Sequence, residues 1–139
     1  MRHVLVDTGP LVAILSRADE HHDRCVDVLK SISGPLLSCW PVITEAAWLL
    51  RGDKRSVQQL LRSISEGFVV LLPLADSDAS AIAEVMGKYA DMEPQLADAT
   101  LVHLAQRDGI ETIFTLDRRD FSVYRGSRKR AFRILPEVD

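Results

Sequence analysis

The sequence predicts an α/β protein in which a central, mostly parallel sheet lies between helical layers, a three-layer α/β/α sandwich. Three observations carry this expectation. Short apolar runs of strand length alternate with longer segments whose apolar residues recur at helical spacing. The short runs are continuous rather than alternating, as in strands covered on both faces. The 139 residues, 47% hydrophobic and 27% charged, suit a single domain over 1–139 with a full core of its own.

The elements follow in order. Residues 3–6, HVLV, read as a buried strand, and Pro10 suits the first turn of the helix that follows. Residues 18–32 open with acids and carry Cys25, Val28, Leu29 and Ile32 at helical spacing, with Gly34 as the stop. LLSC (36–39) is a second strand, and Pro41 opens a helix closed by Gly52. The next stretch is amphipathic through Val57, Leu60, Leu61 and Ile64 and ends at Gly67. FVVLLPL (68–74) is a third strand and 76–91 a helix with acidic caps. Pro94 then breaks the chain before a helix over 95–109 with a glycine stop. ETIFTL (111–116) is a strand, DRRDF a turn or a single helical turn, and AFRIL (131–135) the last strand.

Charge and cysteine usage bound the partners. A net charge of −3 gives no global attraction to nucleic acid. Residues 118–133 nevertheless hold seven cations against Asp120 alone, a local net charge of +6. Such asymmetry suits either a polyanion footprint or a solvated basic edge. Cys25 and Cys39 stand without metal-like spacing, so buried, reduced thiols are expected. Asp7 interrupts the N-terminal apolar run, and no apolar stretch approaches the roughly 18 residues of a span, so a cytoplasmic protein without membrane contact is expected.

Four acids occupy unusual positions. Asp7 and Asp117 each directly follow a predicted strand, and in parallel strands near the sheet centre they emerge at one edge, where sites form in such sheets. Glu45 lies on an apolar helix face with Val42, Trp48 and Leu49. Asp98 shares the stripe of Leu101, Val102 and Ala105. The plainer readings are a helix cap at Asp7 or Thr8, a dipole-favoured acid at Asp98 and a turn residue at Asp117; no such account reaches Glu45. Carboxylates converging on one cleft repel unless a cation lies between them, and an all-oxygen set selects Mg²⁺ or Mn²⁺. The chemistry implied is metal-assisted hydrolysis of a phosphodiester, with Arg118, Arg119, Arg125, Arg128, Lys129 and Arg130 beside the site to hold a phosphate backbone.

VLVDTGPLVAIL, VITEAAWLL, LADATLVHLA and TIFTLDRRDF, in this order, resemble the four acidic blocks of PIN domains, especially those of VapC-type toxins. The resemblance implies a PIN-like sandwich and a Mg²⁺- or Mn²⁺-dependent endoribonuclease acting on RNA. Asp7, Glu45, Asp98 and Asp117 would be its catalytic, metal-binding acids, and Thr8 and Thr115 hydroxyl helpers. It also implies a homodimer and a cognate antitoxin. The sequence departs from the pattern at Gln95, where relatives often carry a further acid, and at Gly9-Pro10, where a small polar pair is more usual. Gln95 remains able to hydrogen-bond a metal-bound water. Asp120 reads as a supporting acid or, preferably, a surface salt-bridge partner for the arginines.

Two rival functions fit parts of the pattern: a catalytically inactive RNA- or protein-binding module, and an aspartate-based phosphatase. The latter wants an acid two residues after Asp7, where Gly9 stands. His21 and His22 are adjacent and share no helix face, so they are expected in solvent; His3 and His103 are expected to be structural. Trp40 and Trp48 are expected in core or dimer packing, and Tyr124 is a weak candidate for stacking on a base.

Overall fold

The computed structural model describes residues 2–138. Five three-residue strands form one sheet: β1 (Val4–Val6), β2 (Leu36–Ser38), β3 (Val69–Leu71), β4 (Thr112–Phe114) and β5 (Arg133–Leu135). All neighbouring pairs are parallel, in the order β3-β2-β1-β4-β5. Seven α-helices connect and flank them: α1 (Thr8–Leu15), α2 (His22–Ser31), α3 (Trp40–Leu49), α4 (Lys54–Ser65), α5 (Asp78–Lys88), α6 (Leu96–Asp108) and the single turn α7 (Arg118–Phe121). The result is the three-layer sandwich that continuous apolar strands require, since each face must be covered.

The chain winds outward from β1 to β2 and β3, then crosses back to β4 and β5 on the other side of β1. The order of winding therefore reverses between β1 and β4, and a crevice opens beyond their carboxyl ends. The core sits at the sheet centre. Val4, Leu5, Val6, Ile113 and Phe114 are fully buried, and α6 contributes Leu101, Val102, Leu104 and Ala105. Ile113→Ala should therefore cost about 3 kcal/mol, read as a lower midpoint in chemical denaturation.

Local boundaries differ from the sequence expectation for identifiable reasons. Helix α1 starts at Thr8, because Asp7 accepts from the Thr8 N–H, and Pro10 falls inside the first turn, where no intrahelical N–H is needed. Helix α2 starts at His22 rather than near residue 18, since Asp19 accepts from the backbone of His21 and holds a turn there. The third apolar run keeps only Val69–Leu71 as strand; Pro73 has no N–H for a ladder. Helix α6 stops at Gly109, whose φ of +70° is the left-handed conformation glycine adopts without strain. Cys25 and Cys39 are buried and free, and burial pushes each thiol up to about 11. Among the described residues, no helix is long and apolar enough to cross a membrane.

Candidate active site

The crevice at the winding reversal is lined by Asp7, Glu45, Asp98, Asp117 and Asp120, with Thr8, Gly9, Glu93 and Gln95 around them, and encloses about 570 Å³. Each acid arrives by a different route. Asp7 directly follows β1, and its backbone N–H continues the ladder by donating to the Phe114 carbonyl. Asp117 follows β4 by three residues and caps α7, its carboxylate accepting from the Asp120 N–H at 3.1 Å. Glu45 projects from mid-α3 and is half-buried. Asp98 is the third residue of α6. There it forms a reciprocal capping box with Gln95, accepting from the Gln95 N–H at 3.3 Å. The cap account of Asp98 is thus physically real, and the same carboxylate also faces the other acids.

Asp7 and Thr115 form the fixed centre. The Asp7 carboxylate accepts from the Thr8 N–H and from the Thr115 hydroxyl, both at 2.8 Å. That same hydroxyl accepts from the Asp117 N–H at 3.0 Å. Thr115, 1% exposed, therefore couples two of the acids through one oxygen. Burial pushes the Asp7 carboxyl up to about 6 against the pull of these two hydrogen bonds, and the charges of Glu45 and Asp117 add to the rise. Asp98 is pushed up to about 7, first by burial and then by Asp7, with Asp117 and Glu45 contributing further. Asp120 is also raised, by burial and by Asp117. These mutual shifts identify the acids as one electrostatic unit.

The donor set fits a hard divalent cation in three respects. It is all oxygen, its charges are mutually repulsive, and the buried Thr8 hydroxyl beside Asp7 has no partner among the described residues. Among the described residues, no three His, Cys, Asp or Glu side chains form a ready-made cage. An open cleft of this kind suits Mg²⁺, which is held by one or two carboxylates and keeps several waters.

Other residues are placed differently from the sequence expectation. Asp120 forms no salt bridge among the described residues; it joins the acids of the cleft. Tyr124 is fully buried, edge-on to Tyr89 and Phe121 at centroid distances of 4.9 and 5.0 Å, which excludes stacking on an incoming base. Its hydroxyl is buried without a partner among the described residues. Trp40 and Trp48 are not core residues: they are 57% and 63% exposed. His103 pairs with Asp78 at 2.7 Å, and His22 is half-buried with its Nδ1 2.7 Å from the Ala13 carbonyl oxygen.

The basic segment does not act as a unit beside the acids. Arg118 donates to the carbonyls of Ile134 and Pro136, and Arg125 to those of Ser122, Val123 and Tyr124. Arg130 shares a hollow with Glu111 at the amino end of β4, and Arg128 and Lys129 directly precede it in the chain, whereas Asp117 follows the carboxyl end of β4. The sheet thus stands between Arg130 and the cleft. Arg119 stays exposed on α7 and acts electrostatically on Asp120.

A doubly wound parallel sheet with six carboxylates lining the crevice at its reversal point, a hydroxyl bridge between two of them and, among the described residues, no nucleophilic Cys or Ser–His pair in the cleft defines an acid-centred α/β domain. Residues 4–126 match the PIN domain, and the chain belongs to that family. It is 29% identical over 135 residues to Ribonuclease VapC26 of Mycobacterium tuberculosis, covering 96% of this chain and all of that protein. Its fold is similar to the crystal structure of VapC20 of Mycobacterium tuberculosis, a sarcin–ricin loop cleaving toxin. The TM-score is 0.73 at 17% identity, covering 79% of this chain and 86% of that one.

Proposed function

We propose that the chain is a metal-dependent endoribonuclease that hydrolyses RNA phosphodiester bonds as the toxin of a toxin–antitoxin pair, in one nuclease domain over 1–139. The observation that carries this reading is the gathering of Asp7, Glu45, Asp98 and Asp117 in one crevice at the carboxyl ends of β1 and β4. Membership in the PIN family and the similarity to a ribonuclease over the full chain support it. These four acids would hold Mg²⁺ or Mn²⁺, which when bound supplies positive charge to a scissile phosphate and lowers the pKa of an attacking water. Thr115 fixes the Asp7 carboxylate and the Asp117 backbone, Thr8 offers a free hydroxyl, and Gln95 stands at the rim to orient water.

Two surfaces support the proposed partners. An apolar groove of about 630 Å³, lined by Leu11, Ile14, Leu29, Ile32, Leu60 and Phe68, offers an antitoxin segment a docking face on α1, α2 and α4. Exposed Trp40, Trp48 and Leu96 form a second apolar face that suits a homodimer. A cytoplasmic location accords with free, buried thiols. The test is cleavage of a total RNA pool, read by sequencing new ends, with Mg²⁺, with Mn²⁺ and with EDTA. Cleavage that requires the cation and is lost in Asp98→Asn is expected. Unchanged cleavage in EDTA would sink the mechanism.

A further inference from the structure

A second hollow, of about 810 Å³, opens beside the acidic crevice, and Leu49 lines both. It lies where the loop after α1 meets the turn between α3 and α4, and Arg17 and Arg55 form part of its wall. Arg51 stands on that turn and Lys54 opens α4, and all four cations are exposed. The ion pairs among the described residues join other groups: His21 to Glu20, His103 and Arg107 to Asp78, Arg107 to Asp108, and Arg133 to Glu137. The acid in this hollow, Asp53, is occupied otherwise. Its carboxylate caps α4, accepting from the Arg55 N–H at 3.0 Å and from the Ser56 hydroxyl at 2.9 Å. The Arg51 guanidinium lies 3.8 Å from the Trp48 ring centroid and donates to the Trp48 carbonyl at 2.8 Å, so its position is fixed before any ligand arrives.

We propose that Arg17, Arg51, Lys54 and Arg55 form the phosphate-binding track along which single-stranded RNA reaches the acids. The proposal rests on the endoribonuclease reading of the crevice. Phosphates cannot approach six carboxylates without cations nearby, and the track supplies four beside the crevice. The sequence places its densest basic run at 118–133, but Arg118 and Arg125 there are bonded to backbone carbonyls and Arg130 lies at the amino end of β4, which leaves Arg119 as that run's exposed cation beside the crevice. A hollow shared at Leu49 lets one strand lie on the arginines and place an adjoining phosphate in the crevice. Flexible single strands can follow such a bend, whereas a stiff duplex is disfavoured.

The test uses the full chain carrying Asp7→Asn, so that RNA is bound and not cut. A fluorescently labelled single-stranded RNA oligonucleotide is titrated at several salt concentrations, with anisotropy as the readout. Adding Arg17→Ala and Arg55→Ala should reduce the slope of log K against log salt by about 1.4, two contacts at roughly 0.7 each. The pair Arg128→Ala and Lys129→Ala should leave that slope unchanged. An unchanged slope in the Arg17/Arg55 variant, or an equal loss in the Arg128/Lys129 variant, overturns the track. The two readings fail separately. Wild-type chain that cuts RNA while the Arg17/Arg55 variant binds like its parent defeats the track alone. Binding that depends on Arg17 and Arg55 in a chain that never cuts RNA defeats the nuclease reading and leaves the track standing.

Discussion

Asp7→Asn should abolish cleavage and at the same time raise the melting temperature of the metal-free protein at pH 8. The first effect follows from position. Asp7 is the most buried of the cleft acids, and its carboxylate is held in place by Thr8 and Thr115. Loss of its charge should lower the cleavage rate by at least about 10²-fold, the scale seen when one charge-stabilising group leaves an active site. The second effect follows from linkage. The folded-state pKa of Asp7 is raised to about 6, so the folded chain holds that proton more tightly than the unfolded chain. Stability therefore falls as pH rises from the unfolded value near 4 through about 6, and the deficit persists above that. Asparagine does not ionise and escapes this cost, on the order of 1–3 kcal/mol, while offering the Thr8 N–H the same acceptor. The gain should appear as a rise of about 3–8 °C in the melting temperature in EDTA. Near pH 4 both side chains are neutral and the difference should close. A variant that melts lower than wild type at pH 8 would show that the carboxylate is not a source of strain.

This opposition of activity and stability says what the cleft is. An isolated protein gains nothing from placing Asp7, Asp98 and Asp120 where burial and mutual repulsion raise all three. Such groups persist where a bound cation or phosphate offsets the repulsion, and strongly perturbed acids in a cleft are a mark of function. The neighbouring arginine track meets the same need from outside: among the described residues its cations form no salt bridge, whereas Arg107 is consumed by Asp78 and Asp108.

How far the sequence revealed this depended on whether a residue's role was set locally. Asp7 and Asp117 were visible because a strand followed at once by an acid defines a sheet edge in a parallel fold. Glu45 and Asp98 were visible because a charge on an apolar helix stripe breaks a period. Asp120 was open to two readings, supporting acid or surface salt-bridge partner, and Glu93 looks like an ordinary surface acid; each enters the cleft through the way α7 and the turn before α6 are folded. The run at 118–133 divides for the converse reason, with Arg119 beside the cleft and Arg130 away from it. Adjacent in sequence to Asp117, it passes from one end of β4 to the other, and no local pattern reports which edge a loop reaches. Tyr124 is similar. Surrounded in sequence by arginines, it is nevertheless the largest fully buried side chain, because Tyr89 and Phe121 close around it. The track at Arg17 and Arg55 joins two turns 38 residues apart and has no sequence signature at all.

Thr115→Val should have the second largest effect, although the residue carries no charge and touches no solvent. Valine matches threonine in shape, so the packing around β4 is kept and the change isolates the hydroxyl. Two bonds are lost: the one donated to Asp7 and the one accepted from the Asp117 N–H. The second loss leaves a backbone donor without its partner, at a cost of about 1–3 kcal/mol in unfolding free energy. The first removes an interaction that lowers the Asp7 pKa, so that carboxyl moves further above 6. Groups that orient metal-site carboxylates typically cost 10- to 100-fold when removed, and cleavage should fall within about that range. The acid limb of the pH–rate profile should shift upward, because a higher pH is needed to ionise Asp7. Thr115→Ser keeps the hydroxyl and should restore both rate and profile, though it removes a buried methyl. A valine variant that is less stable yet cuts RNA at the wild-type rate and with the wild-type profile would assign Thr115 to the fold alone.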